Sequence, residues 1–132
     1  MKWIRLGSLF FLASLLFFQS CESEPYAQGR YIYEVRCSNC HLPDGRGLGK
    51  EIPSLHKSKA SPAYWSCLIR YGQSNTIEQN GVKYIRNMPA NTDLTAADLT
   101  NLINFIQNEW VEDSQFVALD SVNQWLENCP QG

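Results

Sequence analysis

The chain has 132 residues, 44% of them hydrophobic, with 11 Lys/Arg against 13 Asp/Glu and a formal net charge of −2. That length suits one ordinary core rather than two. The slightly acidic balance argues against a nucleic-acid partner, and no second long apolar run follows the first one, so a multi-span membrane protein is excluded.

The first stretch stands apart. Lys2 and Arg5 flank an apolar run from Leu6 to Phe18, shorter than the roughly 18 to 20 residues a membrane-spanning helix needs. Residues 1–20 therefore read as a signal peptide. Phe18-Gln19-Ser20-Cys21 resembles a bacterial lipobox, which implies that Cys21 becomes the first mature residue and carries lipid, with 21–25 as a short membrane tether. The expected location is the bacterial cell envelope, lipid-anchored and facing the periplasm; the alternative is a soluble exported protein with a spare thiol. Loss of Lys2 and Arg5 leaves nine basic residues against 13 acidic ones, a mature charge of about −4. Residues 93–132 hold seven Asp/Glu and no Lys or Arg, while the nine bases all lie between 22 and 92. Such a division suits an ordinary solvated surface, or a basic ring around a redox site that steers an acidic partner.

A first helix is expected from Pro25 to Asn39, ending at Cys37-Ser38-Asn39-Cys40-His41. This is the C-x-x-C-H signature of covalent haem c attachment: two thiols bond one edge of the rigid ring and the next residue reaches the iron. A structural zinc site needs four ligands, yet His56 is the only other His, and Cys67 and Cys129 show no paired spacing. A thioredoxin-type pair belongs in alternating strands and helices, a pattern not seen here. Ser61-Pro62 marks the start of a further helix and Gly72 its stop. Asn80-Gly81 reads as a tight turn between two very short strands.

With Met1 removed, Met88 is the one thioether of the mature chain, in a loop 47 residues after His41. A Met is more often a core filler, but beside the haem motif it becomes the expected second axial ligand, so the metal ligands are His41 and Met88. His56, in the polar run His56-Lys57-Ser58-Lys59, reads as an exposed loop residue. The helix from Ala96 to about Trp110 carries the best local signals. Thr95 and Asp98 form a capping box, Leu94 and Leu99 have staple spacing, and Leu99, Leu102, Ile103, Ile106 and Trp110 follow the helical period. Beyond it, Val122, Trp125, Leu126 and Cys129 recur at i, i+3, i+4 and i+7, the pattern of one more helix. Once the chain is exported, the thiols left over are Cys67 and Cys129, and a disulfide between them is expected to pin that helix to the body.

Taken together these residues resemble the class I c-type cytochromes. The resemblance spans roughly residues 26–110 and rests on Cys37 to His41, Asp44-Gly45-x-Gly47, Ile52-Pro53-Ser54-Leu55, Ile69-x-x-Gly72, and Tyr84 before Met88-Pro89-Ala90. It implies an all-α cytochrome c fold wrapped around one covalent haem, with 111–132 as a C-terminal helical extension. It also implies that the Pro53 carbonyl accepts the His41 ring N–H, which fixes the imidazole's orientation. First and last helices would cross at Gly29, Tyr33, Leu102 and Phe105, and Tyr84 would contact the cofactor or the core.

With both axial positions taken, the expected function is single-electron transfer to redox protein partners, such as a respiratory complex or an exported oxidoreductase, with no catalysis by the chain itself. Two alternatives need an open axial position: a small peroxidase and a haem sensor.

Overall fold

The computed structural model describes residues 24–56, 58–79 and 81–130. The expected signal peptide, Cys21 and Lys57 lie outside the described residues. Among those described, no helix is long and apolar enough to cross a membrane.

The first helix is shorter than expected. Tyr26 adopts φ 63°, and α1 runs from Ala27 to Arg36. Cys37 closes α1 at φ −116° and ψ −34°, and a one-turn helix, α2, follows from Ser38 to His41. The break has local support: Ser38 Oγ donates to the Glu34 carbonyl at 2.7 Å, and the amides of Cys40 and His41 both turn back to the Cys37 carbonyl. Helix α3 covers Pro62–Tyr71; Ser61 Oγ accepts from the Tyr64 amide at 3.2 Å and Pro62 holds the first helical position.

Strands β1 (Ile77–Gln79) and β2 (Val82–Tyr84) pair antiparallel, with Ile77 opposite Tyr84 and Gln79 opposite Val82. The two-residue connection contains Gly81 at φ 75°, a conformation that suits such hairpins; Asn80 is outside the described residues. This hairpin amends the all-α expectation: five helices and one small two-stranded sheet make up the described residues.

Helix α4 spans Ala96–Trp110, and its start is doubly capped. Thr95 Oγ1 accepts from the Asp98 amide at 3.1 Å, while the Asp98 carboxylate accepts from the Thr95 amide at 2.9 Å. Leu99, Leu102 and Ile103 are fully buried along its inner face. The most extensive helix contact is between α1 and α4. It depends on Gly29, where a Cβ would sit 2.1 Å from the Asn101 carbonyl oxygen and 2.7 Å from Phe105 Cβ. Beside it, the Tyr33 ring packs on Phe105 and Trp110, with centroids 5.6 and 4.8 Å away. Such aromatic pairs stabilise beyond their buried area.

Helix α5 (Leu119–Glu127) packs on both α4 and α3. Val122 is fully buried there. The link into α5 is clamped by Asn104, whose Nδ2 donates to the Val117 carbonyl at 2.9 Å and whose Oδ1 accepts from the Val117 amide at 2.8 Å. Cys129, just past α5, forms a disulfide with Cys67 on α3, with Cα atoms 5.5 Å apart.

Candidate functional site

One cleft gathers Cys37, Cys40, His41, Pro53 and Met88 into a common lining, over a floor that includes Leu55, Trp65, Leu68, Ile69 and Ile106. The break after Arg36 builds the first wall, because the turn at Cys37 lets Cys37, Cys40 and His41 face one space. Leu42 follows at φ 65°, a costly geometry for leucine. Its carbonyl is held by the Tyr33 hydroxyl, which donates at 2.6 Å. Burial, with Cys37 and Asp44 nearby, keeps the Tyr33 phenol well above its ordinary pKa, so the proton stays in place.

His41 Nδ1 lies 3.1 Å from the Pro53 carbonyl. A carbonyl can only accept, so Nδ1 carries the proton and Nε2 keeps its lone pair. Burial lowers the His41 pKa, partly opposed by the Pro53 bond, which favours the neutral ring that a metal ligand must be. Pro53 is itself fixed by the loop around it: Gly47 N donates to the His41 carbonyl at 3.0 Å, and Leu55 N to the Gly45 carbonyl at 2.8 Å.

The opposite wall carries Met88 on backbone bonds. Met88 and Gln73 exchange N–H and carbonyl at 2.9 and 2.8 Å, and Asn91 N donates to the Ile69 carbonyl at 3.0 Å. Arg70 Nη1 adds a bond to the Thr92 carbonyl at 3.0 Å. This wall approaches α3 so closely that only glycine fits at its end: at Gly72, φ 72°, a Cβ would lie 2.6 Å from the Met88 carbonyl oxygen. Gln73, Arg70 and Asn91 are not marked by any pattern in the sequence, and Gly72 reads there only as a helix stop.

The donor set fits a covalent haem: two free thiols, one neutral imidazole with its far nitrogen available, one thioether and an apolar floor. It fits the rival chemistries poorly. Burial and the neighbouring Cys40, against a smaller opposing effect of Arg36, push the Cys37 thiol up to about 12, whereas a thiol-exchange centre needs a lowered value. Among the described residues no group of three or more His, Cys, Asp or Glu is gathered to hold a bare metal ion.

One expected cofactor-contacting position falls elsewhere, and His56 is exposed as expected. Tyr84 is buried on β2 but is not among the side chains lining the cleft, whereas its ladder partner Ile77 is. His56 is exposed and away from the cleft; its Nε2 donates to the Asp44 carbonyl at 2.6 Å, and its ring sits 6.0 Å from that of Trp110.

When bound, haem c supplies the one-electron iron couple. Cys37 and Cys40 are then the residues that would hold the ring edge, His41 Nε2 and the Met88 sulfur those that would meet the iron, and the floor residues those that exclude water. The packed pair α1 and α4, a C-x-x-C-H turn and a facing Met loop define a class I c-type cytochrome. The family described as cytochrome c oxidase, cbb3-type, subunit III matches residues 24–106, well over half of the chain. The chain belongs to that family, and its cofactor is covalent haem c. The match ends within α4, so α5 and Cys129, which is bonded to Cys67 inside the match, lie beyond it. Comparison with curated proteins returned no match.

Proposed function

We propose that this chain is a lipid-anchored monohaem cytochrome c that passes single electrons into or out of a membrane respiratory complex. The observation that carries the reading is the shared cleft of His41 and Met88, with Nε2 of His41 left available by the Pro53 bond. Two protein ligands leave no position for oxygen or peroxide, and a thioether ligand favours the ferrous state. Membership of a family described as an oxidase subunit supports a respiratory oxidase as the partner class. The lipobox-like Cys21, only a few residues before α1, would keep the haem within a short reach of the membrane surface. The site falls in the domain from 26 to 110, with 111–132 as an added brace.

Carbon monoxide added to the ferrous holoprotein tests the carrier reading. The carrier leaves its spectrum unchanged and exchanges electrons rapidly with a soluble redox dye; ready binding of the gas would instead mark an open site, as a peroxidase or a sensor requires. Fractionation of cells tests the anchor: wild type should pellet with membranes and Cys21→Ala should not.

A further inference from the structure

The walls of the cleft come from separate stretches of chain. Residues 36–56 carry the cysteines, His41 and Pro53, and residues 69–93 carry Met88 and the backbone that holds it. Among the described residues, three polar side-chain contacts join one wall to the other. Gln79 Nε2 donates to the Ser54 carbonyl at 3.2 Å. Arg86, two residues before Met88, donates through Nη1 to Glu51 Oε2 at 2.7 Å, and Glu51 stands two residues before Pro53. Arg36, the residue before Cys37, pairs with Asp93 in the loop after Met88. Both arginines line the cleft. The Met88 wall is thus tied to α3 by backbone bonds but to the His41 wall largely by two ion pairs, whose side chains are 42 to 68% exposed.

We infer that Arg86–Glu51 and Arg36–Asp93 are positioning pairs that strap the Met88 wall across the cleft mouth and so hold Met88 against the iron. This rests on the reading of Met88 as the axial ligand. Each pair sits close in sequence to a group that must meet the haem, so losing one releases a short lever rather than the whole fold. Exposed pairs are individually weak, and each should change the opening equilibrium by at most about five-fold. Being exposed, they also weaken as the screening length falls from about 10 Å in 0.1 M salt to 3 Å in 1 M. The retention of Met88 should therefore depend on ionic strength.

The test follows imidazole replacing Met88 on the ferric holoprotein, read as loss of the far-red Met-to-iron band, in low and high salt. Arg86→Gln and Glu51→Gln should each speed replacement by up to about five-fold in low salt and should flatten its salt dependence. The two substitutions change net charge in opposite directions, so a shift in the same direction reports the pair rather than the field at the iron. The exchanged variant Arg86→Glu with Glu51→Arg should return the rate toward wild type. Equal rates in both salts and in all variants, with the band present, would overturn the inference alone. A wild-type protein without the band would overturn it together with the Met88 assignment.

Discussion

Gly72→Ala separates the demands of the site from those of the fold. The native backbone there has φ 72° and ψ −172°, a region that only glycine occupies readily and that costs another residue about 1–3 kcal/mol. The new methyl adds a second cost. Its Cβ would lie 2.6 Å from the Met88 carbonyl oxygen, 2.7 Å from the Ala90 amide nitrogen and 2.9 Å from the Pro89 carbonyl carbon, where ordinary contact begins at 3.4 Å. All three are backbone atoms, so no rotamer change relieves them, and overpacking of this kind costs about 1–3 kcal/mol. Together the terms amount to about 2–6 kcal/mol. The segment that must retreat is the one bearing Met88, so axial ligation should fail before the helical core does. Optical spectra of the ferric holoprotein, recorded through a thermal melt, measure both. The variant is expected to lose the far-red band at temperatures where helix content is still native, and to melt several degrees below wild type. An alanine variant with the full band and an unchanged melting temperature would refute the reasoning.

Other substitutions probe the frame around the site. Gly29→Ala should lower the melting temperature, because a gain in helix propensity of about 1 kcal/mol is outweighed by a Cβ forced to 2.1 Å from the Asn101 carbonyl; a more stable variant would show that α1 and α4 can separate freely. Replacing Cys67 and Cys129 together by alanine should cost about 4 kcal/mol in the chain-entropy account of a 62-residue separation, seen as a lower denaturant midpoint with the haem spectrum intact. Asp98 supplies a pH effect. Hydrogen bonds from Thr95 lower its carboxyl pKa below 3.8, so its contribution is complete above that value and is lost as pH falls through the lowered folded value. Stability measured across the acid range should lose part of this slope in Asp98→Asn.

Features that depend on near neighbours were legible in the sequence: the Thr95–Asp98 box, the Ser61-Pro62 start, the Gly72 stop and the apolar face of α5 each lie within a few residues. The first helix stops at Arg36 rather than Asn39, because Cys37 interrupts it and the chain resumes as the one-turn helix Ser38–His41, a break that no near-neighbour pattern marks. The cleft-facing motif residues were legible one by one, but their supports were not. Gln73 meets Met88 fifteen residues on, Arg86 meets Glu51 over 35 residues and Arg36 meets Asp93 over 57; no local pattern encodes such pairings. Asn104 carries no signal in the sequence beyond its polarity, yet its buried amide anchors the segment that leads into α5.

The central claim, a haem bound through Cys37 and Cys40 between His41 and Met88, is tested most directly by the absorption spectrum of the purified ferric and ferrous protein, with pyridine haemochrome analysis, for wild type and Met88→Ala. The account predicts covalent haem in both proteins, and the far-red Met-to-iron band in wild type alone. Covalent haem without that band in wild type would remove Met88 from the iron, and a protein that carries no covalent haem would contradict the account at its root.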